Sequence, residues 1–131
     1  MTGEIRADIE RTAADLVDSA IKVHRSLGPG LLESAYQACL AHEMSTRGHS
    51  VRTEVILPIK YDGIDIDRGY RIDMLINDHL LVENKSVSTL TDTHRAQVIT
   101  YLKLSRLQLG FLLNWNVALI KNGIKRIALS L

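Results

Sequence analysis

The sequence predicts a mixed α/β fold. Apolar residues recur at helical spacing through the first 27 positions, the pattern changes to alternation from Val51, and short apolar runs bounded by Asn and Gly close the chain.

Ile5, Ile9, Ala13, Leu16, Ala20, Val23 and Leu27 form one apolar stripe, which predicts a first helix ending at Leu27-Gly28. Pro29 and Gly30 break the chain, and a second helix is expected from about Leu31 to Arg47, stopped by Gly48. Val55, Leu57 and Ile59 then alternate with other residues ahead of the Tyr61-Asp62-Gly63 turn signal, which predicts a hairpin. Tyr70–Ile76 and Leu80–Val87 read as two more strands joined through Asn77-Asp78-His79. A third helix, capped by Thr91 or Asp92, should run to about Ser105. Leu107–Leu113, Val117–Ile120 and Ile124–Leu129 are expected to complete the sheet. No linker, repeat or low-complexity run interrupts the order, so residues 1–131 read as one domain able to fold alone.

Composition narrows the function. With 46% hydrophobic and 24% charged residues and no apolar run approaching the ~18–20 residues of a membrane span, a membrane role is not expected. The N-terminus carries no secretion pattern, so a cytoplasmic location is expected. One cysteine, Cys39, rules out an intrachain disulfide and a cysteine-rich zinc site, and its neighbours Ala38, Leu40 and Ala41 make it a packed helix residue. The net charge of +1, from 16 Lys and Arg against 15 Asp and Glu, lacks the basic excess of proteins that grip long nucleic acids. Action on a polyanion therefore requires a metal ion or a local basic cluster, such as Arg68 with Arg71 or Lys121 with Lys125 and Arg126.

Two carboxylates stand inside apolar strands: Asp73 between Ile72 and Met74, and Glu83 after Leu80-Leu81-Val82. An unpaired buried carboxylate costs several kcal/mol, so both need partners. Glu83 and Lys85 are two apart and share one strand face, about 7 Å from each other, a spacing that suits two groups around one metal and water. Gln97 and Tyr101, with His94 one turn earlier, share a face of the third helix. The alternatives are a structural salt-bridge network for the strand residues and simple helix packing for the row.

Asp73, followed after nine residues by Glu83-Asn84-Lys85, resembles the catalytic core of the PD-(D/E)XK nuclease superfamily, and Gln97-x-x-x-Tyr101 resembles the helix motif that follows it in many members. His24-Arg-Ser-Leu-Gly-Pro29, Gly30-Leu-Leu-Glu33-Ser-Ala-Tyr36, Gln97-Val-Ile-Thr-Tyr101-Leu-Lys and Gly123-Ile-Lys-Arg126-Ile are similar to the family named for its GxxExxY motif. The resemblance implies a restriction-endonuclease-like core: a mixed sheet entered by one helix and crossed by another, with the site where the middle hairpin splays. It implies a Mg²⁺ or Mn²⁺ ion held by Asp73 and Glu83, with the Asn84 carbonyl and Glu33 as further ligands. Lys85 would act on the attacking water and the phosphoryl charge, and Gln97 and Tyr101 would orient Lys85 or a phosphate. The implied activity is metal-dependent hydrolysis of nucleic acid, DNA foremost, with pairing into a homodimer a natural way to cut two strands. The rival is a nuclease-fold module that binds nucleic acid or a second copy without cutting.

Other residues have plainer readings. Glu33 lies in the first turn of its helix, where it also suits the helix dipole. Tyr36 reads as packing, His24 as a cap or core contact, and Trp115 as a partly buried strand-end residue or a base-stacking platform. Asn84 places an amide where the family usually carries an apolar residue, on the face opposite Glu83 and Lys85.

Strand parity sets a condition on the site. A two-residue turn at Asn77-Asp78 pairs Asp73 with Val82 and sends the two carboxylates to opposite faces. A three-residue connection, or a bulge, sets Asp73 across from Glu83, so an odd-length connection or bulge is expected between Ile72 and Val82.

Overall fold

The computed structural model describes residues 3–130. Helix α1 (Gly3–Leu27) buries Ile9, Ala13, Leu16, Ala20 and Val23, the stripe read from the sequence. Leu27 is instead exposed, because the helix ends there and Gly28 turns the chain at φ +67; the Ile5 side chain lies outside the described residues. Helix α2 (Glu33–Thr46) starts two residues later than expected, since Leu32 is still extended, and buries Tyr36, Leu40 and Met44 at four-residue intervals.

Strand β1 (Val51–Ile56) is followed by a short separate hairpin of β2 (Ile59–Tyr61) and β3 (Ile64–Ile66), turned by Asp62 and Gly63 at positive φ. Strands β4 (Arg71–Ile76) and β5 (Leu80–Lys85) come next, then helix α3 (Asp92–Ser105), whose Thr91 and His94 form a capping box. Strands β6 (Leu109–Asn114) and β7 (Ile124–Ala128) finish the sheet. The predicted strand at Val117–Ile120 does not exist. That segment bends into a 3-10 turn at Ile120–Asn122, and its apolar character comes from Ile120 and Val117 packing against the core. Gly123 is required after it, because a Cβ there would lie 2.1 Å from the Asn114 carbonyl oxygen.

The main sheet has the order β1-β4-β5-β6-β7, with β5 and β6 parallel and the other neighbours antiparallel. Helix α3 makes the connection that a parallel pair needs. Strand β6 is buried at every residue, as expected of a central strand covered on both faces. One core unites α1 and α2 with Met74, Ile76, Leu80, Val82 and Phe111; a second lies under α3 and holds Ile72, Leu75, Leu81 and Leu112. The result is a mixed α+β architecture consistent with a restriction-endonuclease-like fold. Among the described residues no helix is long and apolar enough to cross a membrane.

Candidate active site

The connection between β4 and β5 takes three residues. Ile76 pairs with Leu80, Leu75 with Leu81 and Met74 with Val82, while Asn77 and Asp78 both sit at positive φ in the turn. Continued by one step, that register places Asp73 across from Glu83, as the parity condition demands.

The ladder stops at that step. Instead of a backbone pair, the Glu83 carboxylate accepts the Asp73 N–H at 2.7 Å, and the Asp73 carboxylate accepts the Asn84 N–H at 2.8 Å. Each side chain thus satisfies a donor that the splayed strands would otherwise strand. The strands also turn over here. Met74 belongs to the core under α1 and α2, yet Ile72, two residues away, belongs to the core under α3. Strand β1 does the same: Val51 packs on the first core and Val55 on the second. Between them Glu54 adopts φ +52, facing Asp73 in register and interrupting the ladder between two pairs, Thr53 with Met74 and Val55 with Ile72. A left-handed conformation costs a residue with a Cβ roughly 1–2 kcal/mol, so the rest of the sheet must hold it.

The two carboxylates are poorly solvated. Glu83 is 2% exposed. Burial first, and then the Asp73 charge, pushes its pKa up to about 8. Asp73 is also raised, chiefly by burial, against the lowering effect of the Asn84 N–H. Each carboxylate spends one oxygen on a backbone donor; among the described residues the other oxygen makes no hydrogen bond. Lys85 is half-buried beside them and forms no ion pair among the described residues.

Asp73 opens onto a cleft of about 630 Å³, lined also by Glu33, Glu54, Gln37 and Ser86 and, among the described residues, by no Lys or Arg. Glu33 makes no side-chain cap of its helix; its carboxylate reaches across to the Ser86 N–H at 3.3 Å. On the other side of the sheet the Gln97 amide donates to the Tyr101 hydroxyl at 3.2 Å. The Tyr101 pKa is raised by burial and then by the Glu83 charge. His94 does not join that row, being used in the helix cap.

Asn84 is wholly buried, and its amide is structural: Oδ1 accepts the Trp115 Nε1–H at 2.9 Å. Trp115 is fully rather than partly buried, stacked on Tyr36 with ring centroids 4.7 Å apart, so it offers no face to a base. The Tyr36 hydroxyl donates to the Gly28 carbonyl at 2.5 Å and accepts the Leu31 N–H, pinning the loop that leads into Glu33. His24 is a buried core contact, its Nε2 3.1 Å from the Trp115 carbonyl. Of the basic clusters, Arg71 pairs with Asp67, and Arg126 pairs with Glu10 and covers the Phe111 ring.

Sequence reading missed Glu54 and Gln37. In strand alternation Glu54 is an ordinary exposed position, and only its φ and the Gln37 Nε2 donation at 2.8 Å reveal that it turns into the cleft. Among the described residues, no group of three or more His, Cys, Asp and Glu is gathered closely enough to hold a metal ion unaided.

A family model described as the PD-(D/E)XK nuclease superfamily matches residues 10–127. No curated protein and no solved structure matches the chain.

Proposed function

The chain belongs to the PD-(D/E)XK nuclease superfamily, and we propose that it is a metal-dependent phosphodiesterase that hydrolyses DNA or another nucleic acid. The observation that carries this reading is the pair formed by Asp73 and Glu83. Two adjacent, desolvated carboxylates whose pKa values are both raised are an arrangement that a divalent cation relieves.

The donor set fits a hard cation that keeps much of its water shell, such as Mg²⁺ or Mn²⁺. Asp73 and Glu83 would hold it with their free oxygens, and the Asn84 carbonyl and Glu33 are the further oxygen donors proposed. Such a cation, when bound, supplies Lewis acidity and lowers the pKa of a coordinated water. Lys85, without a competing ion pair among the described residues, would hold the attacking water and stabilise negative charge on the phosphoryl oxygens. Tyr101 and Gln97, hydrogen-bonded to each other near Glu83, would orient the Lys85 side chain or a phosphate. Membership of the GxxExxY family is part of the same proposal, resting on Gly30, Glu33 and Tyr36 and on the way Tyr36 fixes the loop before Glu33.

The test is calorimetric titration of Mg²⁺ and Mn²⁺ into metal-free protein, beside cleavage assays on single- and double-stranded substrates. Binding lost in Asp73→Ala and in Glu83→Ala supports the reading. No heat at millimolar metal favours the rival, a nuclease-fold module that binds nucleic acid or a second copy without cutting.

A further inference from the structure

On the α3 side of the carboxylate pair lies a second groove, of about 410 Å³, walled by Leu57, Ile59, Tyr70, Ala96, Gln97 and Tyr101. Its volume falls in the range of pockets that take small ligands, ~300–1,000 Å³. We propose that this groove receives one unpaired nucleobase of the strand being cut, so that the substrate is single-stranded nucleic acid. The inference rests on the reading of the site as a nuclease centre and adds its substrate class.

Charge separates the two hollows. The cleft beside Asp73 is lined by three carboxylates, so it suits a cation and, through one, phosphate oxygens. Among the described residues no charged side chain lines the groove, which therefore suits the uncharged part of a nucleotide. The groove adjoins the proposed centre at Tyr101, which lines it and whose hydroxyl feels the Glu83 charge.

The wall also has the form that a base requires. Tyr70 is 45% exposed and stands edge-on to Tyr101, with centroids 6.3 Å apart and planes at 77°, so its ring is held in place while much of it stays open. Stacking on an aromatic ring tolerates any base. Gln97 spends its Nε2 on Tyr101 and keeps its Oε1 as an acceptor, and the exposed residues Thr93 and Thr100 add hydroxyls to the lining for the polar edge of the base. A base inside a duplex must first be unstacked and unpaired, at a cost of a few kcal/mol, so the groove favours a strand whose bases are already free.

The experiment compares a fluorescently labelled single-stranded oligodeoxynucleotide with a duplex of the same sequence, binding by anisotropy in Ca²⁺ to the parent, Ala96→Phe and Tyr70→Ala. Ala96 is exposed on α3, so Phe fills the groove without entering the core; Tyr70→Ala removes the ring instead, and thermal melts check both folds. The parent should prefer the single strand, and both folded variants should lose about tenfold for it and little for the duplex. A 2-aminopurine base in the single strand should be quenched on binding the parent and not Ala96→Phe. Unchanged single-strand affinity in both variants, or equal losses for strand and duplex, overturns the proposal. So does a parent that sediments as a dimer which Ala96→Phe dissociates, since the groove is then covered by a second copy. If the groove variants have no effect while Asp73→Ala still abolishes metal binding, this proposal fails and the metal-centre reading stands. If the parent binds neither metal nor oligonucleotide, both fall.

Discussion

The Glu83 carboxylate accepts the Asp73 N–H at 2.7 Å, and Asp73 returns the relation one residue on by accepting the Asn84 N–H. Two side chains thereby replace a rung of the sheet, and both are kept where the strands separate. The energetics of that exchange set most of what can be measured.

Lys85→Ala should leave Mg²⁺ affinity nearly intact and lower hydrolysis by roughly 10²–10³-fold, the usual cost of removing a group that stabilises developing charge. Calorimetry and cleavage rates on the same variant check it. A variant that cuts at the parent rate removes Lys85 from the mechanism.

Asp73→Asn should lose both metal binding and cleavage yet melt a few degrees higher without metal. Its amide oxygen can still accept the Asn84 N–H, while the charge that raises Glu83 is gone. Melts at low ionic strength in a chelator give the sign. A lower melting temperature means the carboxylate itself is needed to hold the strands.

The pH dependence follows from Glu83. Its folded pKa of about 8 lies above the ordinary 4.5, so between those values the folded protein keeps a proton that the unfolded chain has released. Stability is therefore greatest at the acidic end of that window and falls as pH rises through it. Glu83→Gln should flatten this slope. Mg²⁺ binding at pH 7 should expel about one proton per ion, seen by calorimetry in buffers of different ionisation enthalpy.

Glu54→Gly should raise stability by up to about 1 kcal/mol, because glycine adopts φ +52 without the Cβ clash and this gain exceeds its entropy cost. Chemical denaturation measures it. A destabilised variant means that the Gln37 contact outweighs the strain.

Asn84→Leu restores the apolar residue usual at this motif position but strands the Trp115 Nε1–H, costing about 1–3 kcal/mol. Adding Trp115→Phe should recover part of that loss. A double-mutant cycle with no coupling energy refutes the assignment.

Local pattern alone determined much of this protein. The α1 stripe, the Asn77–His79 connection, the Thr91 cap and the Asp73 and Glu-x-Lys strands depend on spacings of two or 3.6 residues, and such periods are written in neighbouring residues. Parity even restricted the β4–β5 connection to an odd length, because one residue of slip reverses every side chain. The missing strand at Val117–Ile120 shows the limit: an apolar run records burial, and burial under α1 looks the same whether the backbone is extended or coiled. Tertiary structure alone decided that β1 and β4 turn over together at Glu54 and Asp73, that Glu54 enters the cleft, and that Asn84 serves Trp115 from 31 residues away. Those relations join residues from different elements, and the left-handed Glu54 is held by the β1–β4 pairs that flank it, Thr53 with Met74 and Val55 with Ile72.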